Sequence, residues 1–399
     1  MKIGLIREDK VPADNRVALI PAQCRWIHRA MPHLKVVVQS APGRCFTDRE
    51  YRAAGVEVLE DMQECDLLLG IKEVPPEQLL PNKTYLFFSH TKKKQPHNQR
   101  LLQTVLQKGI TLIDYECLEH EDGQRIIGFG FFAGLVGAHN GMMAYGNRSR
   151  LYQLNRVHES SDLRQLMHTY FGLRLPPVKI AVTGSGRVAS GILEIMNLMG
   201  VIEVEPEEYL VREFSYAVYV HLKSTGLYKH KLTGKYNREE FHAAPADYGS
   251  LFQPYTQQTD ILLNGVYWDR DIPRLFTWED MADARFRIRV IADVTDDYNG
   301  SIPCNLGDGT LQEPVYGIDP ITRTQTLPYQ PAGVDLMAVS NLPNELPKDA
   351  SRYFGEQLIK WVLPDLVSGS SAIIERATIA RQGKLTPHFS YLQDYAAGR

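Results

Sequence analysis

Short unbroken apolar runs, each closed by polar or charged residues, dominate the first ~115 positions of the chain. Lys2–Ile6, Lys35–Gln39, Leu67–Ile71, Thr84–Ser89 and Thr111–Tyr115 predict short buried strands. Between them, Pro21–Arg29, Asp48–Ala54 and Asn98–Lys108 predict helices. This alternation predicts a parallel sheet covered on both faces. Ligands of such sheets bind beyond the carboxyl ends of the strands. That rule puts Glu8–Arg16, Lys72–Pro76, His90–Gln95 and Glu116–Arg125 along one rim.

The pattern then changes. Residues 128–146 are rich in glycine and alanine and predict a tightly packed crossing between domains that continues as a helix. A second strand-and-helix region follows, with strands predicted at Val178–Thr183, Val201–Glu205, Asp260–Val266 and Arg287–Val294. About fifty polar and aromatic residues, from 206 to 255, separate two of them. That run is long for a connection and is expected to carry structure of its own. Asp349–Leu366 predicts a helix capped by Asp349, packing back on the first domain.

The glycine pattern within the second region is the sharpest motif. Strand Val178–Thr183 enters Gly184-Ser-Gly186-Arg187-Val-Ala189, and a helix-like segment leaves it. Strand, Gly-x-Gly-x-x-Ala turn and helix form a dinucleotide-binding fingerprint. Gly184 permits the tight turn, Gly186 lets backbone N–H groups approach a pyrophosphate, and Ala189 keeps helix and strand close. The bland alternative is a βα turn with no ligand. Glu205 lies 21 positions after Gly184, the usual spacing for an acid that binds a ribose 2′-OH.

Composition narrows the field. A chain of 399 residues suggests two domains. Net charge is −3, with 44 basic and 47 acidic residues, so there is no electrostatic case for nucleic acid or an anionic membrane. No apolar run approaches transmembrane length. The five cysteines are scattered, with no Cys-x-x-Cys pair, which indicates neither a metal site nor a disulfide framework. No metal is expected. The N-terminal residues do not read as a signal peptide, so a reducing, cytoplasmic setting is the expectation.

The rim residues carry a family resemblance. Thr84-Tyr-Leu-Phe-Phe-Ser-His-Thr, Leu112-Ile-Asp-Tyr-Glu, Leu263-Asn-Gly-Val-Tyr-Trp, Asp293-Val-Thr-Asp-Asp and Asn341-Leu-Pro-Asn-Glu-Leu-Pro occur in order. With them the chain resembles the lysine-forming saccharopine dehydrogenases, within the alanine dehydrogenase/transhydrogenase superfamily. It is most similar to the lysine–ketoglutarate reductase portion of the bifunctional aminoadipic semialdehyde synthases, and looks like that unit alone. The resemblance implies an α/β protein of two Rossmann-like parallel-sheet domains with the active-site cleft between them. Residues 1–135, completed by 340–399, would form the substrate domain. Residues 136–339 would form the dinucleotide domain, with an insertion at about 206–255. The implied reaction condenses lysine and 2-oxoglutarate to an imine, which a nicotinamide hydride reduces to saccharopine. The implied cofactor is NAD or NADP. The expected partners are these small molecules, with no nucleic acid and no membrane, and a homo-oligomer is compatible with the sequence.

Roles follow residue by residue. Lys72 matches an active-site lysine, and a partly desolvated amine titrates low enough to exchange protons on nitrogen and on a carbinolamine oxygen. His90 matches a catalytic histidine, and imidazole titrates near neutrality. Which of the two acts at which step stays open. Glu116 would balance these cations, and Asp14 stands where the family has a glutamate. Saccharopine carries three carboxylates, for which Arg16 and Arg125 match guanidinium clamps. Lys93, Gln95, Phe129 and Tyr267 complete the substrate side. On the cofactor side stand Gly184, Gly186, Arg187, Glu205, Asn264, Val266, Asp293, Val294 and Thr295. The family has an arginine where this chain has Gln124. Lys223 and Lys229, inside the insertion, could offset Glu205 near the ribose, so NAD and NADP are not separated. Two alternatives remain at this level: an alanine-dehydrogenase-like amination of a keto acid with ammonia, and a catalytically silent dinucleotide-binding protein.

Overall fold

The computed structural model describes residues 1–369 and 371–398. The chain divides into two compact units, Met1–Phe129 with Pro347–Arg399, and Gly130–Leu346. Each is an α/β unit built on an eight-stranded, mainly parallel sheet.

The first unit begins with strands β1 (Lys2–Leu5), β2 (Lys35–Gln39), β3 (Glu57–Leu59), β4 (Leu67–Leu69), β5 (Thr84–Phe87) and β6 (Thr111–Asp114). Consecutive residues Val36, Val37 and Val38 are all buried, as are Leu67, Leu68 and Leu69. Unbroken burial of this kind needs cover on both faces, which explains the unbroken apolar runs. The C-terminal hairpin β17 (Thr378–Arg381) and β18 (Lys384–Leu385) extends the sheet antiparallel from β6. The sheet order is β18-β17-β6-β5-β4-β1-β2-β3. The sequence pattern missed β3 and the hairpin, whose strands are short. The expected C-terminal helix does pack on this unit, with Phe354, Leu358 and Val362 in its core. It begins at Pro347 rather than at a cap on Asp349. A proline ring is preorganised for the first helical position, and Asp349 therefore lies in the first turn.

The second unit contains β7 (Lys179–Thr183), β8 (Ile202–Glu203), β9 (Val218–Leu222), β10 (Tyr228–His230), β11 (Tyr248–Ser250), β12 (Ile261–Asn264), β13 (Val290–Asp293), β14 (Val315–Asp319), β15 (Thr324–Thr326) and β16 (Val334–Met337). Its main sheet runs β15-β14-β16-β13-β12-β7-β9-β8, and β10–β11 is a separate hairpin. One expectation needs correction. The 206–255 run is not only an insertion, because it contributes β9 to the middle of the sheet, parallel to β7. The rest of that run supplies Tyr228, Phe241, Tyr248 and Phe252 to a core shared with Val218, Val220 and Leu262.

The small-residue segment forms the helix Gly130–Ser149. It crosses the fingerprint helix Arg187–Leu198 so closely that a Cβ on Gly134 would lie 1.9 Å from the Val188 carbonyl oxygen. One on Gly191 would meet the Phe131 carbonyl oxygen at the same distance. The small residues are thus required by backbone-to-backbone packing.

Candidate active site

In the first unit, β1, β4, β5 and β6 are parallel neighbours, so their carboxyl ends share one edge. The loops leaving them carry the predicted rim. After β1, Asp14 and Arg16 form a buried ion pair. Arg16 Nε donates to Asp14 Oδ1 at 2.9 Å and Nη2 to Oδ2 at 2.5 Å. Burial alone would raise Asp14, but the guanidinium outweighs it and holds the carboxyl at about 2. The Arg16 guanidinium also lies 4.1 Å from the centre of the Phe129 ring, which stacks on Phe354 at 4.5 Å. Arg16 is therefore fixed in direction by a carboxylate and a ring, as a rigid clamp requires.

Lys72 follows β4. Burial and then repulsion from Arg16 bring its amine down to about 8, with Asp14 and Glu73 opposing. Its backbone N–H donates to Glu8 Oε2 at 2.8 Å, and the Ile71 N–H donates to Glu8 Oε1 at 2.5 Å. Burial, reinforced by the charge of Asp14, pushes Glu8 up to about 8. Glu8 thus holds the Lys72 loop while easily carrying a proton near neutrality.

His90 follows β5 in the left-handed region, at φ 51°. A non-glycine residue there is uncommon and is held by its surroundings. The neighbours supply that hold. Asp114, at the end of β6, accepts the Ser89 N–H at 3.0 Å and the Ser89 hydroxyl, and also accepts the Glu116 N–H at 2.7 Å. The motifs around Ser-His-Thr and Asp-Tyr-Glu are therefore one hydrogen-bonded unit. The His90 ring stacks on Phe88, and its Nδ1 lies 2.5 Å from Glu73 Oε1. Lys10 holds the other Glu73 oxygen at 2.6 Å. Burial opposes ionisation of Glu73, but bonding and charge from His90, with Lys10, bring it to about 2. An ionised Glu73 fixes the Nδ1–H tautomer and leaves Nε2 for proton exchange.

One expected role is thereby reassigned. The carboxylate that accompanies His90 is Glu73, not Glu116. Glu116 instead accepts from Arg125 Nη2 at 3.0 Å and lies 3.9 Å from Lys93 Nζ. Its Oε2 is buried without a hydrogen-bond partner among the described residues. Gln95 is exposed, its side-chain oxygen accepting from Asn98 at 3.3 Å and its backbone carbonyl from Tyr395 at 2.5 Å. Glu8, Glu73 and Asp114 lay inside the rim spans and motifs but were not singled out. Glu73 adjoins Lys72 in sequence, and that adjacency was the one available signal.

In the second unit, Gly184 adopts φ +106°, and a Cβ there would stand 2.5 Å from the Gly265 carbonyl oxygen. Above Gly186 nothing lies within 4 Å of an added Cβ. The turn opens onto the 12-residue helix Arg187–Leu198. Required glycine, open space and helix N-terminus together fit a dinucleotide pyrophosphate. Asn264 and Asp293 are fully buried and serve each other. Asn264 Nδ2 donates to Asp293 Oδ1 at 2.8 Å and to Ser301 Oγ at 2.9 Å, while Asn305 donates to Asp293 Oδ2 at 2.9 Å. Burial still pushes the Asp293 carboxyl up. These two side chains tie the ends of β12 and β13 together. Val294 and Thr295, just beyond, line a cavity of about 160 Å³ with Ala133, Asp296 and Leu342. Val266 is buried and Tyr267 exposed. Glu205 does not stand where its spacing suggests: it follows the edge strand β8, and β9 separates it from β7.

Among the described residues no helix is long and apolar enough to cross a membrane.

Comparison with known proteins accords with this architecture. Residues 4–136 match the family model of the alanine dehydrogenase/PNT N-terminal domain. The whole chain aligns at 30% identity with mouse (Mus musculus) mitochondrial alpha-aminoadipic semialdehyde synthase, of which it covers 48%. The chain thus spans about half the length of that relative. It is 25% identical to the NAD(+), L-lysine-forming saccharopine dehydrogenase of Yarrowia lipolytica, covering 90% of each protein. Among solved structures, an L-alanine dehydrogenase superposes with a TM-score of 0.66 at 16% identity, covering 100% of this chain and 99% of that one. That likeness speaks for the fold. Residues 4–136 thus carry an alanine dehydrogenase/PNT N-terminal domain, and the chain as a whole is similar to alpha-aminoadipic semialdehyde synthases and to lysine-forming saccharopine dehydrogenases.

Proposed function

We propose that this chain is an NAD(P)-dependent oxidoreductase acting on a CH–NH bond, interconverting saccharopine with L-lysine and 2-oxoglutarate. The observation that carries the reading is the constellation at the carboxyl ends of β1, β4 and β5: a lysine brought to about 8, an imidazole oriented by an ionised glutamate, and a buried arginine fixed by an aspartate.

Each part suits a step. The lysine substrate's side-chain amine adds to the keto carbon of 2-oxoglutarate, and loss of water gives an imine. That sequence moves protons on nitrogen and on the carbinolamine oxygen. Lys72 at about 8 gives and takes protons near neutrality, where an ordinary lysine would not. His90 offers Nε2 for the second transfer, because Glu73 occupies Nδ1. Arg16, Arg125 and Lys93 supply positive charge for the substrate carboxylates, with Arg16 oriented in advance. When bound, a reduced nicotinamide dinucleotide supplies the hydride that adds to the imine carbon. The turn at Gly184–Gly186 is the part of this chain that would hold it.

The test is spectrophotometric. NAD(P)H oxidation should require lysine and 2-oxoglutarate together, and neither alone should support it. Consumption with ammonia and pyruvate, and none with lysine, would replace the reading by an alanine-dehydrogenase-like one.

A further inference from the structure

One side chain shapes the loop that carries Lys72. Up to Gly70 the chain follows ordinary parallel pairing. Ile6 N–H donates to the Leu69 carbonyl at 3.0 Å, and Gly70 N–H donates to the Leu86 carbonyl at 3.1 Å. In a strand, successive N–H groups point to opposite neighbours. Gly70 faces β5, so Ile71 should face β1 and Lys72 should face β5 again. Instead the Ile71 and Lys72 N–H groups both donate to Glu8, at 2.5 Å to Oε1 and 2.8 Å to Oε2. The Ile71 carbonyl meanwhile accepts from Phe88 on the β5 side at 3.0 Å. Two successive N–H groups gathered on one carboxylate make a concave nest, which an extended backbone does not form. The chain bends at Ile71 and Lys72 and leaves the sheet there.

Glu8 belongs to the loop after β1, and its side chain takes over where backbone pairing stops. The charges that act most on the Lys72 amine are those of Arg16, Asp14, Glu73 and Lys10. Glu8 grips the same residue by its backbone. A carboxyl group keeps acceptor capacity on its oxygens with or without a proton, so the grip does not depend on ionisation.

We propose that Glu8 is the positioning residue of Lys72: by gathering two successive N–H groups it turns the chain off β4 and keeps the Lys72 amine in its half-buried place on the rim. The inference deepens the proposed function and rests on its assignment of Lys72, not on its substrates.

The test compares the full chain with Glu8→Gln. The amide keeps one acceptor oxygen, but its nitrogen presents only donors to a backbone N–H. Both proteins are labelled with acetic anhydride, without substrate, from about pH 6 to about 11, and each lysine is followed by peptide mass spectrometry. Wild-type Lys72 should be half-reactive at about 8. In Glu8→Gln that midpoint should rise by about one unit or more, as the amine regains water. Lys108, whose Nζ donates to the Leu79 carbonyl at 2.6 Å in the same unit, should label as before. Turnover with lysine and 2-oxoglutarate should fall about tenfold or more, with KM values within about twofold. Hydrogen exchange of the wild type needs no variant: the Ile71 and Lys72 amides should be protected although they lie beyond β4. An unmoved Lys72 midpoint, Lys72 and Lys108 moving together, or unprotected amides would overturn the role and leave the dehydrogenase reading standing. A raised Lys72 midpoint in a protein whose wild type turns over neither substrate would support the role and remove the saccharopine reading.

Discussion

Replacing Lys72 by methionine should stabilise the protein and disable it. The Lys72 ammonium falls from 10.5 to about 8 because burial and then the neighbouring Arg16 disfavour its charge, more than Asp14 and Glu73 restore it. At 1.36 kcal/mol per pH unit, the charged amine costs the folded state about 3 kcal/mol. The sign follows from proton counting. Below about pH 8 both states carry the proton and the full cost is present. Between about 8 and 10.5 the unfolded chain keeps a proton that the folded one has released, so stability rises with pH. Above about 10.5 the cost has gone. Methionine has a similar length and no charge. Lys72→Met should therefore exceed the wild type by on the order of 1–3 kcal/mol near pH 7, with the gap closing towards pH 10. Paired urea unfolding at both pH values measures this, and turnover should fall about 10²–10⁴-fold. A variant less stable near pH 7, or a gap independent of pH, would refute the argument that Lys72 is a desolvated, depressed amine.

Three further outcomes are expected. His90→Ala should lower turnover at least about tenfold while dinucleotide affinity, measured by titration, barely moves. Glu73→Gln should lower turnover while dinucleotide affinity barely moves, because a neutral amide holds the His90 ring more weakly than the carboxylate does; unchanged turnover would exclude Glu73 as its positioning residue. Gly184→Ala would press a Cβ to 2.5 Å from the Gly265 carbonyl at a positive φ, so it should weaken dinucleotide binding and lower the melting temperature.

Much of this was legible because buried parallel strands write unbroken apolar runs. Those runs located the strand ends, and with them Lys72, His90, Glu116 and Arg16. What was hidden had physical reasons. The strand β9 reads Val-Tyr-Val-His-Leu, in which a tyrosine and a histidine break the apolar run inside a long polar and aromatic segment. Missing it left Glu205 beside the fingerprint strand in the linear reading, one strand position inside where it stands. The partnership of Glu73 with His90 spans a loop and a strand, 17 residues apart. Local spacing cannot reveal such a pairing, since it arises only when β4 and β5 lie side by side. Asp114 is similar: its carboxylate binds Ser89 across 25 residues and so supports the strained backbone of His90.

The central claim is that hydride reaches a carbon newly bonded to the side-chain nitrogen of lysine. Mass spectrometry of the product formed from lysine, 2-oxoglutarate and NAD(P)H deuterated at the nicotinamide C4 tests it directly. The account predicts saccharopine carrying a single deuterium at the former keto carbon. Unlabelled saccharopine, or deuterium found only in 2-hydroxyglutarate or glutamate, would contradict it.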